Sequence, residues 1–139
     1  MKTFTIASLL MLTAVSAHAC PDLSGTYDYS PDGSITLTIA QQACTQITFT
    51  TAVEGSTIST EVDQINGQPQ APSNGTSNTF EFKGDSLIVT PVDATGAAIP
   101  GSYSTYALTA SKDIQYSLDI LVGTPNQYND VTIYKRISN

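Results

Sequence analysis

Ile35-Thr36-Leu37-Thr38-Ile39 alternates apolar and polar side chains one for one. Successive side chains on a β-strand point to opposite faces, so this stretch has one dry face and one wet face. Ile and Thr are β-branched and fit a pleated, half-buried surface. Working outward, residues 23–29 read as a preceding strand. It is closed by Ser30-Pro31-Asp32-Gly33, in which proline fixes φ and Asp-Gly tolerates positive φ. After a turn at 41–43, residues 44–51 carry Ile47 and Phe49 on one face. Glu54-Gly55 then turns into residues 56–62, with Ile58 and Val62 on one side.

The same pattern continues toward the C-terminus. Strands are expected over 79–83, 86–92, 102–110, 114–122 and 131–137. Gly84-Asp85 and Ser111-Lys112-Asp113 make tight turns between two pairs of them. In 114–122, Tyr116, Leu118, Ile120 and Val122 share a face. Two long loops, 66–78 and 93–101, interrupt the series, and a third spans 123–130. No stretch after residue 20 keeps the helical spacing of apolar residues over ten positions. Short connections imply antiparallel neighbours. The expected fold is all-β, an antiparallel up-and-down meander of about eight strands. Its open edges are removed by closure, or near closure, into a barrel; a two-sheet β-sandwich is the alternative.

The 139 residues suit a signal over 1–19 and a single β-barrel domain over 20–139. Lys2 starts the signal, an apolar run follows over 4–15, and Ala17-His18-Ala19 supplies small residues at the cleavage positions. The run is too short to span a bilayer, and no long apolar stretch follows, so no transmembrane anchor is expected. Export to the periplasm or outside the cell is the expected localisation. Lipid anchoring at Cys20, directly after the cut, is the alternative, although His18 fits a lipoprotein box poorly. Cys20 and Cys44 form the only pair, which in an oxidising compartment suggests a disulfide bond.

Only 12% of residues are charged, and Thr, Ser, Gln, Asn and Gly take their place. Without Lys2, four basic groups face twelve acidic ones, a net charge of −8. Nucleic acids and anionic membranes repel such a chain. The acidic residues look scattered, with no run of five. His18 is the only histidine and leaves with the signal, which removes His-dependent nucleophilic catalysis and His-bearing zinc sites. Glu61 and Asp63 share a strand face and read as solvated carboxylates. No enzyme activity and no cofactor or metal site is expected.

Leu23-Ser24-Gly25-Thr26-Tyr27 resembles the Gly-x-Trp opening of the calycins, which include lipocalins and avidins. The last strand, Ile133-Tyr134-Lys135-Arg136-Ile137, is similar to their C-terminal strand. The resemblance implies that Gly25, Tyr27 and Arg136 belong to the barrel closure, with Arg136 packing across the Tyr27 ring to close the barrel floor. This chain has no Trp, so Tyr27 stands in that place, and biotin is not an expected ligand. Tyr103, Tyr106 and Tyr116 are candidate contacts to a ligand or partner. The expected function is binding of a small apolar or amphipathic molecule in the barrel mouth, rimmed by loops 66–78 and 93–101. The alternative is an exported protein-interaction module, such as a protease inhibitor or surface adaptor. Asn74-Gly75-Thr76 is a glycosylation sequon.

Overall fold

A computed structural model describes residues 20–70 and 77–139 of the protein. Ten strands form, and no helix occurs among the described residues. One sheet contains β1 (Gly25–Asp28), β2 (Ile35–Gln42), β3 (Gln46–Val53) and β4 (Ser56–Gln64). The other contains β5 (Ser77–Lys83), β6 (Ser86–Val92), β7 (Tyr103–Leu108), β8 (Ile114–Ile120) and β9 (Tyr128–Tyr134). A last strand, β10 (Arg136–Ser138), returns to the first sheet and pairs with β1. The orders are β10-β1-β2-β3-β4 and β5-β6-β7-β8-β9, antiparallel throughout.

The meander is therefore present, but the closed barrel is not: the ladders form two five-stranded sheets, the arrangement of a sandwich. The reason lies between β4 and β5. Past Ile65 the alternation stops, Gly67 takes a φ of 67°, and Asn66 Oδ1 accepts the Gln68 amide at 2.9 Å. Pro69 offers no N–H donor. What remains is one isolated bridge, Ile65 with Phe80, and a 2.9 Å bond from Gly67 N–H to the Phe80 carbonyl. On the other flank, only Lys135 separates β9 from β10, so a single ribbon serves both sheets.

Inward residues of both sheets meet in one core. Leu23, Tyr27, Ile39, Ile47, Leu87 and Ile114 are fully buried, joined by Leu37, Phe80 and Tyr134. Each such Leu or Ile contributes about 1.5–3 kcal/mol through burial. β4 departs from the expected pattern. Register places Glu61 opposite Phe49 and Asp63 opposite Ile47. Directly paired residues share a face, so the two carboxylates turn inward and are half-buried. Ile58 and Val62 point out, 64% and 57% exposed. Ile120 and Val122 are likewise exposed, because β8 ends at Ile120.

Cys20 and Cys44 are joined, with Cα atoms 5.7 Å apart. The bond ties the start of the described chain to the β2–β3 turn. A thioether-linked lipid would need the same Cys20 sulfur, so the bridge and the lipid anchor exclude one another. Gln41 reinforces the tie: its Nε2 donates to the carbonyls of Pro21 (3.0 Å) and Ala43 (2.7 Å), and its Oε1 accepts the Leu23 amide at 3.1 Å. Such a bond fits an oxidising, exported environment. No helix among the described residues is long and apolar enough to cross a membrane. The signal expected over 1–19 and the sequon at Asn74 lie outside the described residues.

Candidate functional site

Gly25, Tyr27 and Arg136 come together at one end of the molecule. The Tyr27 hydroxyl donates to the Leu23 carbonyl at 2.7 Å. Arg136 lies over the Tyr27 ring, 5.5 Å from its centroid, and its Nη2 donates to the Ser24 carbonyl. Gly25 has a φ of 152°, and a Cβ there would stand 2.6 Å from Arg136 Nη2. Glycine is thus required by the guanidinium. The Arg136 amide donates to Asp113 Oδ1 at 2.9 Å, and Lys135 Nζ to Asp113 Oδ2 at 3.0 Å. These bonds hold the Asp113 carboxyl down at about 2, the Arg136 amide having the largest effect. The cluster anchors packing.

The other end holds a cavity of about 720 Å³, within the roughly 300–1,000 Å³ usual for ligand pockets. Its walls are inward side chains of both sheets: Phe49 and Glu61 from one, Phe80, Val89, Tyr106 and Leu118 from the other. The space exists because inward positions beside them carry small side chains, notably Thr51, Ser59 and Ser104. Ser104 lies directly opposite Leu118, so one of the pair fills little of the gap.

The rim is apolar and partly exposed: Tyr29 (46%), Ile99 (37%), Tyr103 (36%), Ile120 (36%) and Leu121 (38%). It is also firmly built. Asp93 Oδ1 accepts the amides of Thr95 (2.8 Å) and Ala97 (3.1 Å), shaping the β6–β7 loop. The Val122 amide donates to the Gly101 carbonyl at 2.9 Å, locking that loop to the β8–β9 loop. Gly101, at a φ of 67°, is needed there, since a Cβ would meet the Val122 backbone nitrogen at 2.8 Å.

Six rings run in sequence behind and along the cavity. Tyr29 touches Tyr134 (4.9 Å between centroids), which stacks on Tyr116 (5.6 Å); Tyr116 meets Tyr106 (5.0 Å). Phe49 follows at 5.4 Å and Phe80 at 6.4 Å. Burial pushes the Tyr106 and Tyr134 phenols well above the ordinary range, and Tyr116 upward as well. Burial, then the charge of Glu61, raises the Asp63 carboxyl, whose Oδ2 is buried without a hydrogen-bond partner.

Of the three tyrosines picked from the sequence, Tyr103 stands on the rim and Tyr106 in the wall. Tyr116 supports Tyr106 from behind and does not line the cavity. Loop 93–101 contributes Ile99 to the rim. Asn66 and Gly67 from the other long loop border a second recess of about 530 Å³ beside the disulfide. Sequence reasoning missed Phe49, Glu61 and Leu118 as wall residues. Phe49 and Glu61 were findable only through the β3–β4 register. No family model, curated protein or solved structure matches the chain. Its site is therefore read from its own chemistry.

Proposed function

We propose that the protein is an exported, calycin-like binder that takes a small apolar or amphipathic molecule into the cavity between its sheets. The observation that carries this reading is the roomy, aromatic-walled cavity, open at an apolar rim, in a chain otherwise packed around one core. The Gly25–Tyr27–Arg136 cluster supports the likeness to calycins at the opposite end. A protein-interaction module would be better served by a filled interior, so the open cavity favours the ligand binder.

The test is titration with N-phenyl-1-naphthylamine, an uncharged dye that brightens in apolar surroundings. One saturable site is expected. Val89→Phe, which adds a ring into the cavity wall, should abolish it while leaving the circular dichroism spectrum unchanged. A dye signal that survives the added ring would place binding elsewhere and refute the reading.

A further inference from the structure

Acidic residues occur at both ends of the molecule, but all four basic residues among the described residues lie at one end, so the other end is acidic alone. In an antiparallel meander, alternate turns lie at the same end. Lys83, Lys112, Lys135 and Arg136 belong to one end. Lys83 precedes the β5–β6 turn, Lys112 sits in the β7–β8 turn, and Lys135 and Arg136 bond Asp113 beside that turn. No other Lys or Arg occurs among the described residues. The opposite turns, β1–β2, β3–β4, β6–β7 and β8–β9, surround the cavity mouth. They and the strand ends beside them carry Asp28, Asp32, Glu54, Asp93, Asp119 and Asp130. Residues far apart in sequence thus converge into a field of one sign.

The cavity lining repeats the bias. It contains two carboxylates, Glu61 on β4 and Asp119 on β8, and no Lys or Arg. Asp119 is held in place by Asn129, whose Nδ2 donates to its Oδ1 at 2.7 Å. Aromatic rings supply the rest of the recognition surface, and ring faces attract cations electrostatically. A cleft with walls of one sign focuses that field on an entering ligand.

We propose that the cavity selects an organic cation: a molecule with an apolar body and a protonated or quaternary amine, its charge met by Glu61 and Asp119 and by the faces of the wall rings. This assignment rests on the reading of the cavity as a ligand site and names its ligand class. A fatty carboxylate would fit the apolar walls equally well and enter against the field. The rim charges persist over a wide range of pH. Hydroxyl and amide donors from Ser30 and Ser34 hold Asp32 at about 2, and donors from Thr95 and Ala97 hold Asp93 below its usual range. Glu61 also contributes to the upward push on the Tyr106 phenol, so its charge is felt at the wall.

The experiment is calorimetric titration of the disulfide-closed protein with three probes sharing a ten-carbon chain: decyltrimethylammonium, decanol and decanoate. Each is used below its aggregation limit and at low salt. The cation is expected to bind about 10-fold tighter than the alcohol, and decanoate more weakly than either. Added salt should shrink the gap between cation and alcohol. Asp119→Asn and Glu61→Gln should each weaken the cation about 3–10-fold and leave decanol unchanged, with folding checked by circular dichroism. Equal affinity for all three probes overturns the cation assignment and leaves the cavity reading standing. Binding of none overturns both. A cation preference unmoved in both variants overturns the role given to these two carboxylates.

Discussion

Replacing Gly25 with alanine sets a Cβ 2.6 Å from Arg136 Nη2 and 2.7 Å from its Nε, closer than real Cβ contacts. The guanidinium must leave its place over Tyr27. It then forfeits a charged hydrogen bond to the Ser24 carbonyl, worth about 1.5–3 kcal/mol, and a cation–π contact worth about 0.5–2 kcal/mol. Backbone strain at a φ of 152° adds about 1 kcal/mol. Allowing for partial re-solvation of the freed guanidinium, G25A should destabilise by about 3 kcal/mol. In an R136A background only the strain remains, so the same change should cost about 1 kcal/mol. The coupling of about 2 kcal/mol is measured by a double-mutant cycle. Urea unfolding followed by circular dichroism and tyrosine fluorescence provides the four stabilities. If G25A costs the same with and without Arg136, the collision with the guanidinium is not the reason for glycine at this position.

Converting Cys20 and Cys44 to serine opens a loop of 24-residue separation and should lower stability by about 3.5 kcal/mol, read from urea midpoints. Asp113 is held at about 2 in the folded chain, against about 3.9 when unfolded. Its stabilisation is therefore complete above about pH 4 and lost as pH falls toward 2, and D113N should flatten that limb of an acid-unfolding curve. Tyr106 and Tyr134 have the opposite sense. Their folded phenols are raised, so stability should decline as pH climbs above about 10, and Y134F should lessen that decline in alkaline unfolding monitored by phenolate absorbance.

Where one face of a strand is oily, the sequence was a sufficient guide. Leu37 and Ile39 on β2 and Ile47 on β3 are buried as their alternation requires. β4 misled because its apolar residues lie on the wet side, and its inward face carries Glu61 and Asp63, which hydropathy assigns to solvent. Register with β3, a tertiary property, decides that orientation. The strand expected over 131–137 is divided: β9 begins at Tyr128, three residues before the alternation is clear, because pairing with β8 outweighs the polar character of Asn129 and Asp130, and β10 takes up the end of the range. The cavity was not legible for a related reason. Thr51, Ser59 and Ser104 are small in any strand; only their meeting across two sheets leaves a void. Asp28, Asp32, Glu54, Asp93, Asp119 and Asp130, dispersed along the chain, meet around the cavity mouth by the same folding back.

The pairing of β1 with β10 has a consequence for timing. Ser24 and Arg136 are 112 residues apart, and the first sheet lacks one edge until β10 exists. That seam cannot form before β10 itself has been synthesised, and contacts of such long separation slow the search for the native state. Deleting residues 136–139 should leave the opening strand without this partner and trap a species lacking only its final seam.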